Sequence, residues 1–192
     1  FDQAISMDPK NYDRLIEIYE ALAAHGYREV GQEYLQNVLD TAKQLDAYDS
    51  GRIYYYLGEY QKAYLALDEA RDKGGADSYL YLGRAYAATG DYNYASSVYN
   101  NYLSKQGPNA EIYNELGLCE MAKKEYQNAL AAFQAGKQIE GNSLMQTLCF
   151  NEIVAYEYLE DYQQAEVLMN AYLQNYPDDQ TAIREQQFLS TR

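Results

Sequence analysis

Residues 79–86 read YLYLGRAY and residues 113–120 read YNELGLCE; overlaid, they share a bulky-x-x-Leu-Gly frame at an offset of 34 positions. The agreement continues downstream. Tyr79, Leu82, Gly83, Tyr92, Ala95 and Tyr99 meet Tyr113, Leu116, Gly117, Tyr126, Ala129 and Phe133, each 34 positions later. These coincidences define one unit: bulky-x-x-Leu-Gly-x-x-bulky, a turn, then Tyr-x-x-Ala-x-x-x-aromatic. A fixed period of this length marks a repeat architecture.

Further copies drift in length. Tyr60-x-x-Ala63-x-x-x-Leu67 precedes the pair, with Ala63 and Ala95 spaced by 32, and the shortfall falls at Lys73-Gly74-Gly75. Tyr162-x-x-Ala165-x-x-x-Met169 follows, with Ala129 and Ala165 spaced by 36 and the extra residues near Gly141-Asn142-Ser143. Upstream, Gly31-x-x-x-Leu35-x-x-Val38 puts Gly where the other copies have Ala. Phe1-x-x-Ala4 ahead of Pro9 reads as the tail of one more copy.

Within each unit apolar residues recur at i, i+3, i+4 and i+7, which is helical spacing, and no β-branched alternation supports a strand. His25-Gly26, Gly90-Asp91 and Pro177-Asp178-Asp179 supply turn chemistry between the periodic stretches. Each unit is therefore expected to be a helix pair. Gly83 and Gly117 sit inside the first helix, where Gly costs ~1 kcal/mol against Ala. That cost is tolerable where a neighbouring helix approaches closely, and Ala95, Ala129 and Ala165 would serve the same contact from the second helix. Tyr79, Tyr86, Tyr99 and Phe133 then fill the layers. One helical hairpin cannot bury such a face, so the units must stack.

Composition fits this reading and excludes others. The 192 residues carry 29 acids against 15 bases, a net charge of −14, with 47% hydrophobic residues. So negative a chain repels phosphate backbones and anionic lipid, which argues against a nucleic-acid partner, while its apolar content is too high for a disordered acidic segment. No stretch approaches the ~20 apolar residues of a membrane span, so membrane insertion is not expected. The 24 Tyr, with no Trp, suit seams in which a ring is buried and its hydroxyl stays wet. Layer positions are assigned to Tyr79, Tyr86, Tyr92, Tyr99, Tyr102, Tyr113, Tyr126, Tyr162 and Tyr172. Cys119 and Cys149 show neither metal-ligand spacing nor a disulfide framework and read as small core residues. The sequence opens on Phe1 rather than Met, which is expected of a fragment or processed product. The compartment is left open between the cytoplasm and an extracytoplasmic site reached through a removed signal or lipid anchor.

Tyr79-x2-Leu82-Gly83-x2-Tyr86 followed by Ala95-x3-Tyr99, and Tyr113-x2-Leu116-Gly117 followed by Ala129-x3-Phe133, resemble the tetratricopeptide repeat, whose pattern is W-x2-L-G-x2-Y, then A-x3-F, then P. Tyr replaces Trp, and Glu120 stands where the pattern has Tyr. Pro9 and Pro177 take the late proline place; Pro108 lies one residue beyond it. The resemblance covers nearly the whole chain and implies an all-α, right-handed α-solenoid of antiparallel helix pairs. A single domain over 1–192 is expected. It comprises a trailing half-repeat at 1–11, repeats at 12–45, 46–75, 76–109, 110–143 and 144–180, and a capping helix at 181–192.

The resemblance further implies a concave groove lined by the first helices and holding a partner peptide. With the Gly position counted as eighth, the groove draws on the second, fifth, sixth, ninth, twelfth and thirteenth positions. These place Tyr48, Arg52, Tyr55 and Tyr56 beside Asp77, Leu80, Tyr81 and Arg84. Glu111, Asn114, Glu115 and Leu118 follow, then Phe150, Asn151, Val154 and Tyr158. Arg52 and Arg84 occupy equivalent ninth positions among tyrosine rings, a candidate clamp for a carboxylate. The alternative is that each neutralises nearby acids such as Asp49, Glu59, Asp77 or Glu115. Asn114 and Asn151 are candidates for binding peptide backbone, or they face water. The chaperone-docking members carry a Lys/Asn clamp, and Tyr48/Arg52 and Leu80/Arg84 do not match it.

Catalysis finds little support. His25 is the only His and sits in a turn, and no phosphate loop, His-Glu-x-x-His or calcium-loop spacing is present. The expected function is a non-enzymatic scaffold without cofactor or metal, docking a protein or peptide segment in its groove. The alternatives are a peptide-sensing regulatory module of a larger protein and an enzyme accessory domain. Oligomeric state is left open.

Overall fold

The computed structural model describes residues 1–71 and 75–192, and among these every regular element is a helix. Lys73 and Gly74, where the shortened inter-repeat turn was expected, lie outside the described residues. The chain forms two compact units, Phe1–Thr89 and Gly90–Arg192.

The first unit holds α1 (Asp2–Met7), α2 (Tyr12–Ala24), α3 (Arg28–Thr41), α4 (Ala47–Tyr56), α5 (Tyr60–Ala70) and α6 (Gly75–Ala88). Pairing is sequential: α2 with α3, α4 with α5, and α5 with α6, while α4 also touches α6. The starts are written in short polar side chains. Asn11 accepts a hydrogen bond from the backbone N–H of Arg14, and Asp46 accepts one from Asp49, satisfying donors that a helix start leaves orphaned. Leu15, Tyr19, Leu35, Val38 and Ile53 form the core that ties the first two pairs together. The short α1 is held by the Tyr34 hydroxyl, which donates to Asp2 at 2.5 Å.

The second unit holds α7 (Tyr92–Gln106), α8 (Ala110–Ala122), α9 (Tyr126–Lys137), α10 (Met145–Tyr158), α11 (Tyr162–Asn175) and α12 (Gln180–Leu189), each packed on the next. Asp91, Asn109, Asp161 and Asp179 cap four of these helices. Ala129, Leu130, Phe133, Leu148 and Ala155 form one core cluster; Ile153, Ala165, Met169, Tyr172, Ala182 and Leu189 form another. The pairs α2/α3, α4/α5, α8/α9 and α10/α11 fall within the stretches 12–45, 46–75, 110–143 and 144–180. The repeat proposed at 76–109 draws α6 from the first unit and α7 from the second.

Small residues sit where close packing needs them. Ala63, Ala95, Ala129 and Ala165 are fully buried. A Cβ on Gly51 would lie 2.5 Å from Cγ of Leu67, and one on Gly31 would lie 2.9 Å from Cδ2 of Tyr19. The tyrosines divide in two. Tyr79, Tyr99 and Tyr172 are buried, whereas Tyr86, Tyr92, Tyr102, Tyr113, Tyr126 and Tyr162 are half-buried. Glu120, which replaces the repeat pattern's Tyr, is buried too. It accepts a hydrogen bond from Ser96 at 2.7 Å and pairs with Lys123 at 2.8 Å, so the carboxylate is satisfied where it is taken from water.

Candidate functional site

The hairpin turns fix the register of the first helices. Gly26, Gly58, Gly90, Lys124 and Glu160 all have positive φ, and each lies seven residues after an eighth position: Tyr19, Gly51, Gly83, Gly117 and Ile153. In the first unit this aligns α2, α4 and α6. Their side chains meet across the three helices.

Arg52 on α4 is the most constrained of them. It is only 6% exposed. One terminal nitrogen donates to Asp13 on α2 and another to Asp49 one turn back, each at 2.5 Å, and its guanidinium carbon lies 4.3 Å from the centre of the Tyr48 ring. Burial opposes its charge, but the bonds to Asp13 and Asp49 outweigh this and raise its pKa. The structure thus places Arg52 in the neutralising arrangement, with Asp49 as one of its acids. Both terminal nitrogens are thus committed to carboxylates of the chain, while Nε is buried without a hydrogen-bond partner.

Around it lies a tyrosine cluster. The Tyr55, Tyr56 and Tyr81 rings contact one another edge to face, with centroids 5.3 to 5.8 Å apart. Tyr19 tilts against Tyr56 at 5.0 Å and Tyr60 against Tyr55 at 5.9 Å. The Tyr56 hydroxyl donates to Glu20 on α2 at 2.5 Å and lies 3.0 Å from the hydroxyl of Tyr81. Burial first, and the Glu20 bond second, push the Tyr56 phenol well above its usual range; burial also raises Tyr81. Both phenols stay neutral through the physiological range. Tyr48 reaches α6 by donating to Asp77 at 3.4 Å, and Arg84 sits 5.9 Å from the Tyr81 ring centre. The structure therefore brings together Tyr48, Arg52, Tyr55, Tyr56, Tyr81 and Arg84.

Asp13 and Glu20 were missed in the sequence reading. The signal was present: counting from Tyr19 as the eighth position makes Asp13, Glu17 and Glu20 the second, sixth and ninth positions of α2. Tyr19 in place of Gly concealed that register.

The second unit has a face of its own. The Asn151 amide on α10 donates to Asn114 Oδ1 on α8 at 2.9 Å, and Asn114 is buried. The two asparagines thus bond each other. Tyr158 is exposed, its ring stacked on Tyr126 at 5.0 Å. Beyond Asn151, a shallow pocket is lined by Gln146, Phe150, Tyr172 and Asp179, where the Tyr172 hydroxyl donates to Asp179 at 2.6 Å.

Burial pushes the Cys119 thiol up to about 12, so it is not a nucleophile at neutral pH. His25 bonds the Ala21 carbonyl at the end of α2. Among the described residues, no three His, Cys, Asp or Glu side chains are grouped so as to hold a metal, and no helix is long and apolar enough to cross a membrane.

The sequence profile of the tetratricopeptide repeat matches residues 48–95 and 82–142. No match was found among curated proteins. Among solved structures, a thermophilic tetratricopeptide repeat protein of Thermus thermophilus is similar over 94% of this chain and 100% of its own, with 16% identity and a TM-score of 0.70. A tetratricopeptide repeat protein of Parabacteroides merdae matches 93% of this chain and 72% of its own, at 18% identity and a TM-score of 0.66. A chain of the APC/C hetero-tetramer Cut9–Hcn1 matches 99% of this chain, which spans only 38% of it, at 17% identity and a TM-score of 0.68. At these identities the likeness is one of fold.

Proposed function

The chain belongs to the tetratricopeptide repeat family, and on that premise we propose that it is a non-catalytic scaffold that docks a protein partner's extended segment on the first-helix face of α2, α4 and α6. The observation that carries the reading is the Tyr55–Tyr56–Tyr81 cluster. Three rings from two successive first helices are locked by mutual contacts and by Glu20 from a third. Rings held this way present contact area whose ordering cost is already met in the free protein. Tyrosine and arginine are also the residues enriched where interfaces concentrate their energy. Asn151 and Tyr158 offer the second unit's own polar-aromatic face for the same kind of docking.

Site-directed photocrosslinking tests the assignment. A benzophenone side chain placed at Tyr81 in the intact chain should capture a partner from source-cell lysate. The same group at Leu65, an exposed position on the second helix α5, should not. Capture at Leu65 alone would move the working surface off the first helices.

A further inference from the structure

We propose that the segment received by the face of α2, α4 and α6 is basic, with arginine or lysine side chains stacking on the Tyr55, Tyr56 and Tyr81 rings while Glu17, Glu20 and Asp77 balance their charge. This deepens the groove reading above and rests on it.

The polarity follows from which charges the fold leaves at the surface. In the common register, the groove positions of the three helices carry Asp13, Glu17, Glu20, Asp49 and Asp77 against Arg52 and Arg84. Arg52 is buried and already shared by Asp13 and Asp49. Asp13, Glu17, Glu20 and Asp77 are all exposed. An acidic segment laid here would meet like charge along α2 and, at Arg52, a cation committed elsewhere. A basic segment meets opposite charge on both flanks of the rings.

The rings are suited to cations, and the unit demonstrates it internally. Arg52 lies over Tyr48, Arg84 beside Tyr81, and Lys62 stands 5.3 Å from the Tyr54 ring centre. Three cations of this unit thus already lie against its tyrosine rings. Neutral phenols keep the π face that attracts a cation, and the half-buried Tyr56 and Tyr81 side chains have their phenol pKa values raised, so they stay neutral.

The test uses the intact, isotopically labelled chain and three synthetic dodecapeptides with alternating Arg–Gly, Glu–Gly or Gln–Gly sequence, titrated by NMR. At about 0.15 M salt, exposed charges more than ~8 Å apart are largely screened, so diffuse attraction to the chain's net charge is suppressed. The Arg–Gly peptide should shift amides of α2, α4 and α6. Its affinity should fall about five- to tenfold with Glu17→Gln/Glu20→Gln, which removes two facing charges, and by a similar factor with Tyr81→Leu. Glu69→Gln on α5, which removes the same kind of charge from a second helix, should leave it unchanged. The double carboxamide variant removes two charges yet keeps a side-chain oxygen at position 20 to accept from the Tyr56 hydroxyl, so it decides the matter even where Tyr81→Leu perturbs the fold. Tighter binding of the Glu–Gly peptide on the same face would overturn the basic assignment and leave the groove standing. Equal binding of Gln–Gly there would do likewise. Arg–Gly shifts scattered over both units, with Glu69→Gln as damaging as the double variant, would also overturn it. Silence of this face toward all three peptides would sink the groove reading together with the charge inference.

Discussion

Gly117 on α8 lies directly against the Phe133 ring on α9: a Cβ placed on the glycine would stand 2.3 Å from Cε1 of the phenylalanine. Phe133 is fully buried, so the ring has no solvent to retreat into. Alanine at 117 gains about 1 kcal/mol of helix propensity, yet the overpacking should cost more. Gly117→Ala is expected to destabilise the chain by about 1–3 kcal/mol net, read from urea unfolding followed by circular dichroism. The cost should shrink when Phe133→Leu is added, since the two changes share one contact. Additive effects would show that the close approach is not what selects glycine.

The ion pairs of Arg52 differ in burial, and stability should register it. Its side chain is 8% exposed, that of Asp49 18%, and that of Asp13 76%. Arg52→Ala leaves the half-buried Asp49 without its cation and removes the guanidinium that lies over the Tyr48 ring. A loss of about 2–4 kcal/mol is expected, as for other broken buried pairs. Asp13→Asn should cost under about 1 kcal/mol, the usual worth of an exposed partner. Comparable losses from both would mean that Asp13 is the anchor.

What the sequence showed and what it hid follow from how far each interaction reaches. The repeat landmarks were legible because they encode local geometry: Ala95, Ala129 and Ala165 are buried at the positions their spacing marks. Gly117 against Phe133 pairs two landmarks of the same unit. The Asp49–Arg52 pair is one helical turn long and equally visible. Asp13–Arg52 is not, because 39 residues separate the partners and only the stacking of α2 on α4 brings them together. That one contact ties Arg52 to α2. The Asn114–Asn151 bond, spanning 37 residues, was hidden for the same reason.

Two hairpin turns carry a residue with a poor backbone conformation. Lys124 has φ 64° and Glu160 φ 60°, at the turn position where Gly26, Gly58 and Gly90 adopt 78–83°. The left-handed conformation costs an L residue roughly 1–2 kcal/mol, and glycine returns part of that gain through its looser unfolded chain. Lys124→Gly and Glu160→Gly are each expected to stabilise by about 0.5–1 kcal/mol, measured as a rise in Tm of the second unit's helices. A fall would mean that the side chains make contacts worth more than the strain.

Glu157 on α10 makes stability depend on pH. Burial, and then the charge of Glu185 on α12, raise its carboxyl to about 7, and its Oε1 is buried without a hydrogen-bond partner. The folded-state pKa is therefore above the unfolded value of 4.5. The folded chain holds a proton that the unfolded chain releases, so this group's penalty is absent below the unfolded pKa and complete once the pH has risen through about 7. Stability should accordingly increase as pH falls from near 8 toward 5, over and above the behaviour of the other acids. Glu157→Gln mimics the protonated form. It should raise Tm at pH 8, leave it nearly unchanged at pH 5, and flatten the slope between them. Amide exchange in α12 should slow in step, since Glu185 sits on the helix that the repulsion loosens. A variant with the same slope as the parent chain would place the titrating group elsewhere.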